Sequence, residues 1–90
     1  MKKAIVTVLG KDRTGIIAAV TGRLATYEIN VLDINQTILQ EYFTMIMLVD
    51  LDTGSLPFEE VKEGLSSLSE ELGMSIRIQH EEIFNSMHNV

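Results

Sequence analysis

The sequence contains no cysteine, no tryptophan, a single proline and no apolar run long enough to cross a membrane. The lack of cysteine excludes disulfides, thiolate metal ligands and a cysteine nucleophile, and it agrees with a reducing compartment. The first apolar run, residues 4–9, is too short for the core of a signal peptide. We therefore expect a cytoplasmic protein that does not associate with membranes.

Positive charge is also scarce. Seven Lys and Arg residues stand against 13 Asp and Glu, so the net charge is -6 and the overall field repels nucleic acid. The composition therefore predicts no direct nucleic-acid partner. Ninety residues with 46% hydrophobic content suit one globular domain. We treat residues 1–90 as a single domain in which 80–90 is a short C-terminal tail with helical spacing of its apolar residues.

Apolar periodicity predicts six elements in the order strand, helix, strand, strand, helix, strand. The predicted strands are 4–9, 30–39, 43–51 and 74–79, and the predicted helices are 15–28 and 57–72, with Pro57 at the first helical position and Gly73 as the C-terminal cap. This order is typical of the α+β, ferredoxin-like βαββαβ fold, an antiparallel four-stranded sheet with two helices on one face. The handedness of the crossovers places strands one and three in the middle.

The third predicted strand is apolar on both faces. Met45 and Met47 lie on one side of it, and Ile46 and Leu48 lie on the other. Two helices cover only one face of the sheet, so either set could form an exposed patch larger than a monomer usually carries. The pattern predicts a homodimer that covers this face or an edge of the sheet.

The second predicted strand alternates between apolar and polar residues, as a half-solvated strand does. Its apolar side carries Leu32, Ile34 and Ile38, interrupted by Gln36. Its polar side carries Asp33 and Asn35, which could contact a ligand amine or the edge of a partner, or face water.

The loop from Gly10 to Gly15 joins a buried strand to the start of a helix, where free N–H groups suit a carboxylate or phosphate. Nucleotide-binding glycine motifs are absent from it. The alternative is that Asp12 or Thr14 caps the helix and the glycines only make the turn. If a small anion binds, a side chain in Gly15→Val should weaken binding more than folding. Arg13 could pair with a ligand carboxylate or lie in solvent.

The runs Asp12-Arg13-Thr14-Gly15, Ile16-Ile17-Ala18-Ala19-Val20-Thr21 and Ile29-Asn30-Val31 resemble the ACT domain over essentially the whole chain. The likeness extends to small stand-alone members related to the glycine-cleavage regulatory protein and to the front domain of formyltetrahydrofolate deformylase. ACT domains are regulatory modules that bind amino acids between subunits. The resemblance implies a non-enzymatic module without a cofactor that binds a small metabolite, passing its occupancy to a regulated protein partner.

The resemblance also implies the site residues. Asp12, Gly15 and Ile16 of one chain would face Asn30 and Val31 of another. We expect the first loop and Asn30 to lie at neighbouring sheet ends, near an edge that another chain can meet. Two positions depart from the family pattern: Thr14 replaces a common proline, and Glu28 replaces a common glycine in a left-handed helix cap.

Two other functions stay open. A metal-dependent enzyme could use residues of the tail, namely His80, Glu81, Glu82 and His88, although their spacing matches no standard metal motif. A protein-interaction subunit without a small ligand is the other alternative. We expect no metal.

Overall fold

The computed structural model describes residues 2–11 and 15–88, with side chains through residue 85. Within this range the chain forms four strands and three α-helices. The strands are β1 Lys3–Lys11, β2 Asn30–Leu39, β3 Tyr42–Asp50 and β4 Ser75–His80. The helices are α1 Ile16–Thr26, α2 Phe58–Leu72 and α3 Glu81–His88, and a short 3₁₀ turn spans Leu51–Thr53.

The four strands form one antiparallel sheet in the order β2-β3-β1-β4. The predicted ferredoxin-like βαββαβ arrangement is confirmed, including the placement of the first and third strands in the middle. The C-terminal helix α3 extends this arrangement, where the helical spacing of the tail predicted a helix.

The core lies between the sheet and helices α1 and α2. Alternate residues of the inner strands point toward the helices, and Val6, Val8, Met45 and Met47 are fully buried there. Helix α1 presents one apolar stripe, whose Val20 is also fully buried. Each such side chain stabilises the fold by about 1.5–3 kcal/mol through removal of apolar surface from water. The opposite face of β3 carries Ile46 and Leu48, so the two-sided apolar character of this strand is confirmed and its faces are assigned.

The apolar side of β2 is not buried as its alternation led us to expect. Ile34 and Ile38 pair with Met47 and Phe43, so their side chains point to the helix-bearing side of the sheet. They are nevertheless 39% and 57% exposed. The physical reason is position: β2 is an outer strand, α2 packs against β4, and α1 contacts β2 without covering these two side chains. A β-bulge between Val31 and Asp33 also shifts the register near the start of β2.

Helices α1 and α2 meet at a close contact. The Tyr27 hydroxyl packs against the Cα position of Gly64, where a side chain would collide with it. Arg23 donates from Nη1 to the Gly64 carbonyl oxygen at 3.3 Å and pairs with Glu71 at 3.5 Å. This contact joins the two helices into one layer.

Each of the two helices that precede an outer strand is followed by a residue with a left-handed backbone conformation. Glu28 has φ 60 just beyond α1, which confirms the predicted left-handed cap. Gly73 has φ 67 and ends α2, as predicted. Pro57 was expected at the first helical position of α2, but its ψ of 154 is extended and it is the N-cap. A helical ψ begins only at Phe58, so the missing N–H of Pro57 still costs the helix nothing.

Candidate ligand site at the start of the first helix

The connection between β1 and α1 ends at Gly15, which has φ 85 and ψ 2. This left-handed conformation suits glycine because a Cβ is unfavourable there. Gly15 is the N-cap of α1, and its carbonyl oxygen accepts the Ala19 N–H at 2.9 Å. Asp12, Arg13 and Thr14 lie outside the described residues, so their proposed capping and ligand roles stay predictions.

A surface groove of about 460 Å³ opens beside this helix start. The first N–H groups of any α-helix have no partner within the helix, and here they belong to Ile16, Ile17 and Ala18. The groove therefore combines helix-terminal N–H donors with apolar walls and suits a small ligand that has a negative group and an apolar part. Its lining residues are Gly15, Ile16, Ile17, Ala18, Gln36, Ile38 and Phe43.

Among the described residues that line the groove, Gln36 alone has a polar side chain. It pairs with Met45, which places its carboxamide on the helix-bearing side of β2. The sequence shows Gln36 as an interruption of an apolar row, and that interruption is the signal that could have marked it as a groove residue. Gln36 was not among the predicted site residues, because the sequence pattern does not show that the start of α1 lies beside this part of β2.

Gly15 and Ile16 lie far from Asn30 and Val31 within one chain, so the expectation of neighbouring sheet ends is wrong. Asn30 pairs with Asp50 at one end of the sheet, whereas Ile38, beside Gly15, lies eight residues further along β2. At about 3.3 Å per residue the separation is roughly 25 Å. The reason is that α1 runs back along the sheet and returns the chain to the opposite end before β2 begins.

At that opposite end, Asn30 is held by its backbone. Its N–H donates to the Thr53 Oγ1 at 3.0 Å, and Thr53 Oγ1 donates to the Asp50 carbonyl oxygen at 3.0 Å. The Asn30 side chain is exposed and Val31 is half-buried. These two residues therefore belong to the groove only if a second chain supplies them.

The polar side of β2 has a different local role. The Asp33 carboxylate accepts the N–H of Ile34, the next residue, at 2.9 Å from Oδ1. Asn35 pairs with Ile46 and so lies on the face without helices. Neither side chain lines the groove.

The predicted enzyme alternative depends on the residues around His80. The His80 ring stacks on Phe58, with centroids 4.1 Å apart and an interplanar angle of 21°. Lys2, Lys3, Glu81 and Glu82 share a surface pocket with it. In the described part of the chain, no group of three or more His, Cys, Asp or Glu residues could hold a metal ion. The His88 side chain lies outside the described range.

None of the helices in the described ranges is long and apolar enough to span a membrane.

Comparison with known proteins identifies the domain type. The family model for the ACT domain matches residues 2–79. A UPF0237 protein of Clostridium acetobutylicum is 58% identical over 88 residues, which cover 98% of this chain and 99% of the relative. An ACT domain protein from Streptococcus pneumoniae is 41% identical with a TM-score of 0.81, covering 92% of this chain and 93% of that one.

Two larger solved proteins contain a similar domain. The regulatory subunit of aspartate kinase from Thermus thermophilus is 26% identical with a TM-score of 0.68, over 87% of this chain and 50% of that one. A formyltetrahydrofolate deformylase from Pseudomonas syringae has a TM-score of 0.82 over 89% of this chain and 28% of its own length. At 23% identity the deformylase shows a shared fold alone.

Proposed function

Since this chain belongs to the ACT domain family, we propose that it is a cytoplasmic, homodimeric sensor that binds a small metabolite, namely an amino acid, in the groove at the start of α1. An ACT domain is a regulatory module, and the solved relative from Thermus thermophilus regulates aspartate kinase. In the proposed function, residues 1–90 act as one domain and occupancy of the groove is passed to a regulated protein partner.

The observation that carries this proposal is the composition of the groove. An amino acid has a carboxylate, an ammonium group and a side chain. The N–H groups at the start of α1 suit the carboxylate, and the Gln36 carboxamide oxygen can accept from the ammonium group. The apolar side chains of Ile16, Ile38 and Phe43 suit the remainder of the ligand.

A second chain would complete the site. In the described part of the protomer no strand lies beside the outer edge of β2, and this strand carries exposed apolar side chains. Antiparallel pairing of two such edges would carry the partner's β2 start toward the end of the sheet that holds Gly15 and Ile16. Asn30 and Val31 from one chain and Asp12, Arg13, Gly15 and Ile16 from the other are then the proposed ligand-binding residues.

The test is a thermal-shift screen of the twenty amino acids, followed by calorimetric titration of those that raise the melting temperature. A ligand at one hundred times its dissociation constant should raise the free energy of unfolding by about 2.7 kcal/mol. Gln36→Met should weaken binding of that amino acid, because it removes the polar group of the groove. Asn35→Met is the matched control, since its side chain lies on the other face of the same strand.

Three outcomes would contradict the proposal in different ways. Binding that is unaffected by Gln36→Met places the site elsewhere. A dimer that binds no amino acid favours the interaction subunit without a small ligand. Metal found by elemental analysis of the purified protein would favour the enzyme.

A second test substitutes Gly15. The backbone conformation of this residue determines which substitution separates an effect on binding from an effect on folding. Because Gly15 has φ 85, any larger residue there is strained, and Gly15→Val should destabilise folding as well as binding. Asparagine tolerates the left-handed region, and among the described residues, apart from the chain neighbours of Gly15, no heavy atom lies within 4 Å of a Cβ at this position. Gly15→Asn should therefore fold nearly as well as the parent while its side chain hinders access to the helix N–H groups. Unchanged amino acid affinity in Gly15→Asn would show that the loop has only a structural role.

A further inference from the structure

The groove beside α1 has walls from two elements, and both walls are exposed to water. Ile17 and Ala18 form the wall on the first turn of α1. Gln36 and Ile38 form the wall on β2, and Ile38 is 57% exposed. A ligand that lies between these walls removes their apolar surface from water, so binding favours a ligand with apolar surface of its own.

The bottom of the groove is apolar as well. Ile16 and Phe43 line it, and they are only 2% and 4% exposed. Both belong to the cluster of buried side chains that forms the core. A polar ligand group that reached this depth would lose its water without gaining a hydrogen-bond partner from either side chain. Such a loss is costly, so the bottom of the groove also favours an apolar group.

Charge gives a second restriction. None of the described residues that line the groove has a charged side chain. A carboxylate or ammonium group in the ligand side chain would therefore lie among Ile17, Ile38 and Phe43 without an opposite charge from the groove. An unpaired ion in apolar surroundings is strongly unfavourable. The groove thus disfavours acidic and basic side chains.

The one polar wall residue does not reverse this preference. A site rejects apolar ligands strongly only where they would leave buried polar groups of the site unpaired. Gln36 is exposed, so water can satisfy its carboxamide wherever the ligand does not. An apolar ligand side chain therefore leaves no buried polar group of Gln36 unsatisfied.

We propose that the groove selects amino acids with apolar, uncharged side chains and that Ala18 leaves the room for them. This inference rests on the proposed function, in which the N–H groups of α1 and Gln36 bind the carboxylate and ammonium groups of the ligand. The ligand side chain then lies between the wall of α1 and Ile38. Ala18 has the smallest side chain of the four wall residues, so the wall of α1 is lowest there.

Three amino acids of nearly the same shape test the polarity of the site. Leucine, asparagine and aspartate all branch at Cγ, where they carry two methyl groups, a carboxamide or a carboxylate. Calorimetric titration should show leucine binding about tenfold or more tightly than asparagine, with aspartate the weakest of the three.

The opposite orders of affinity have separate meanings. Tighter binding of asparagine would show that a polar group recognises the ligand side chain, and tighter binding of aspartate would show that a cation does. Either result overturns the selection of apolar side chains while leaving amino acid binding intact. If none of the twenty amino acids binds, the proposed function itself fails.

A straight-chain series measures how far the ligand side chain is buried. Alanine, α-aminobutyrate and norvaline differ by one methylene at each step. Burial of a methylene is worth about 0.8 kcal/mol, which corresponds to a gain in affinity of about fourfold per step. Equal affinities for all three would show that the side chain points into solvent, and this result overturns the proposal.

Ala18→Leu tests which residue sets the room for the ligand. Leucine has nearly the helix propensity of alanine, and position 18 is exposed, so this variant should fold as the parent does. Its larger side chain occupies the groove, so the gain per methylene should fall from about fourfold toward none. Ala25→Leu is the matched control, because Ala25 is exposed on the same helix and does not line the groove. An unchanged gain per methylene in Ala18→Leu would overturn the role of Ala18.

Discussion

The two outer strands of the sheet, β2 and β4, differ in length and in how they are covered. Strand β4 has six residues, and its Ile76 and Ile78 are buried on the side where α2 packs. Strand β2 has ten residues, and its inward-pointing Ile34 and Ile38 stay exposed. Both strands alternate between apolar and polar residues. Alternation therefore determines which side chains share a face of the strand, and the position of the helices determines whether water reaches that face.

The same contrast applies to the backbone at the two edges. A short outer strand with a cation such as Arg77 is a poor template for further pairing, and β4 has these properties. Strand β2 is longer and has one charged side chain, Asp33, whose carboxylate accepts the backbone N–H of Ile34. The difference teaches that one sheet can have a protected edge and an edge suited to a partner.

The largest expected effect is the difference in the free energy of unfolding that is lost when an apolar side chain is removed from β4 or from β2. Ile76→Ala should lower the free energy of unfolding by about 2–5 kcal/mol, because it leaves a cavity beneath α2. Ile38→Ala should change it by about 0.5 kcal/mol or less at low protein concentration, because the side chain is already largely in water. Urea unfolding of both variants measures the difference. Equal losses at low concentration would mean that β2 is covered within the protomer.

A smaller effect concerns the link between ligand and dimer. A ligand that prefers the dimer must raise dimer affinity by the factor by which dimerisation raises ligand affinity. We expect the bound amino acid to lower the dimer dissociation constant about 5- to 150-fold, a coupling of about 1–3 kcal/mol, measured by analytical ultracentrifugation.

Variants that introduce a lysine on one of the two outer strands test which edge of the sheet carries the coupling between ligand and dimer. Ile38→Lys should weaken the dimer and reduce the coupling, whereas Ser75→Lys, an exposed position on β4, should leave both unchanged. A dimer dissociation constant that does not move, with amino acid binding confirmed independently, would mean that each chain holds its ligand alone.

The smallest expected effect concerns the left-handed residues that precede the two outer strands, Glu28 before β2 and Gly73 before β4. Glu28 and Gly73 have nearly the same left-handed φ, yet only Gly73 has the residue type that favours it. Glu28→Gly should raise the free energy of unfolding by up to about 1 kcal/mol, and Gly73→Ala should lower it by about 1 kcal/mol. Thermal or urea unfolding detects both changes. A loss of stability in Glu28→Gly would show that the Glu28 side chain makes a compensating contact.

Local patterns predicted most of the fold. Strand β2 was predicted at 30–39 and occupies Asn30–Leu39, and α2 ends at the predicted Gly73 cap. Strand β3 is displaced by one residue, since Leu51 begins a 3₁₀ turn whose Asp52 N–H is bound by the Asp50 side chain at 2.9 Å. That capping bond is local, but the apolar alternation continues through Leu51. The sequence pattern therefore does not show that the strand ends at Asp50.

The candidate site was predicted only in part. Gly15 and Ile16 line the groove, and their role as ligand residues, which the loop pattern and the family resemblance implied, stays a prediction. Asn30 lies roughly 25 Å away, because the direction of α1 across the sheet determines which strand ends meet. Gln36 enters the groove because β2 pairs with β3 in a register that turns residue 36 toward α1. The register of pairing between separate segments is a tertiary property.

The sequence by itself determined the order of the elements, the buried stripe of each helix and the left-handed positions, because these depend on residue period and on local backbone sterics. Only the tertiary structure decided which face of β3 is buried and which edge of the sheet is uncovered. Each of these depends on where α1, α2 and the neighbouring strands come to lie, and alternation with a period of two is compatible with either face until that packing selects one.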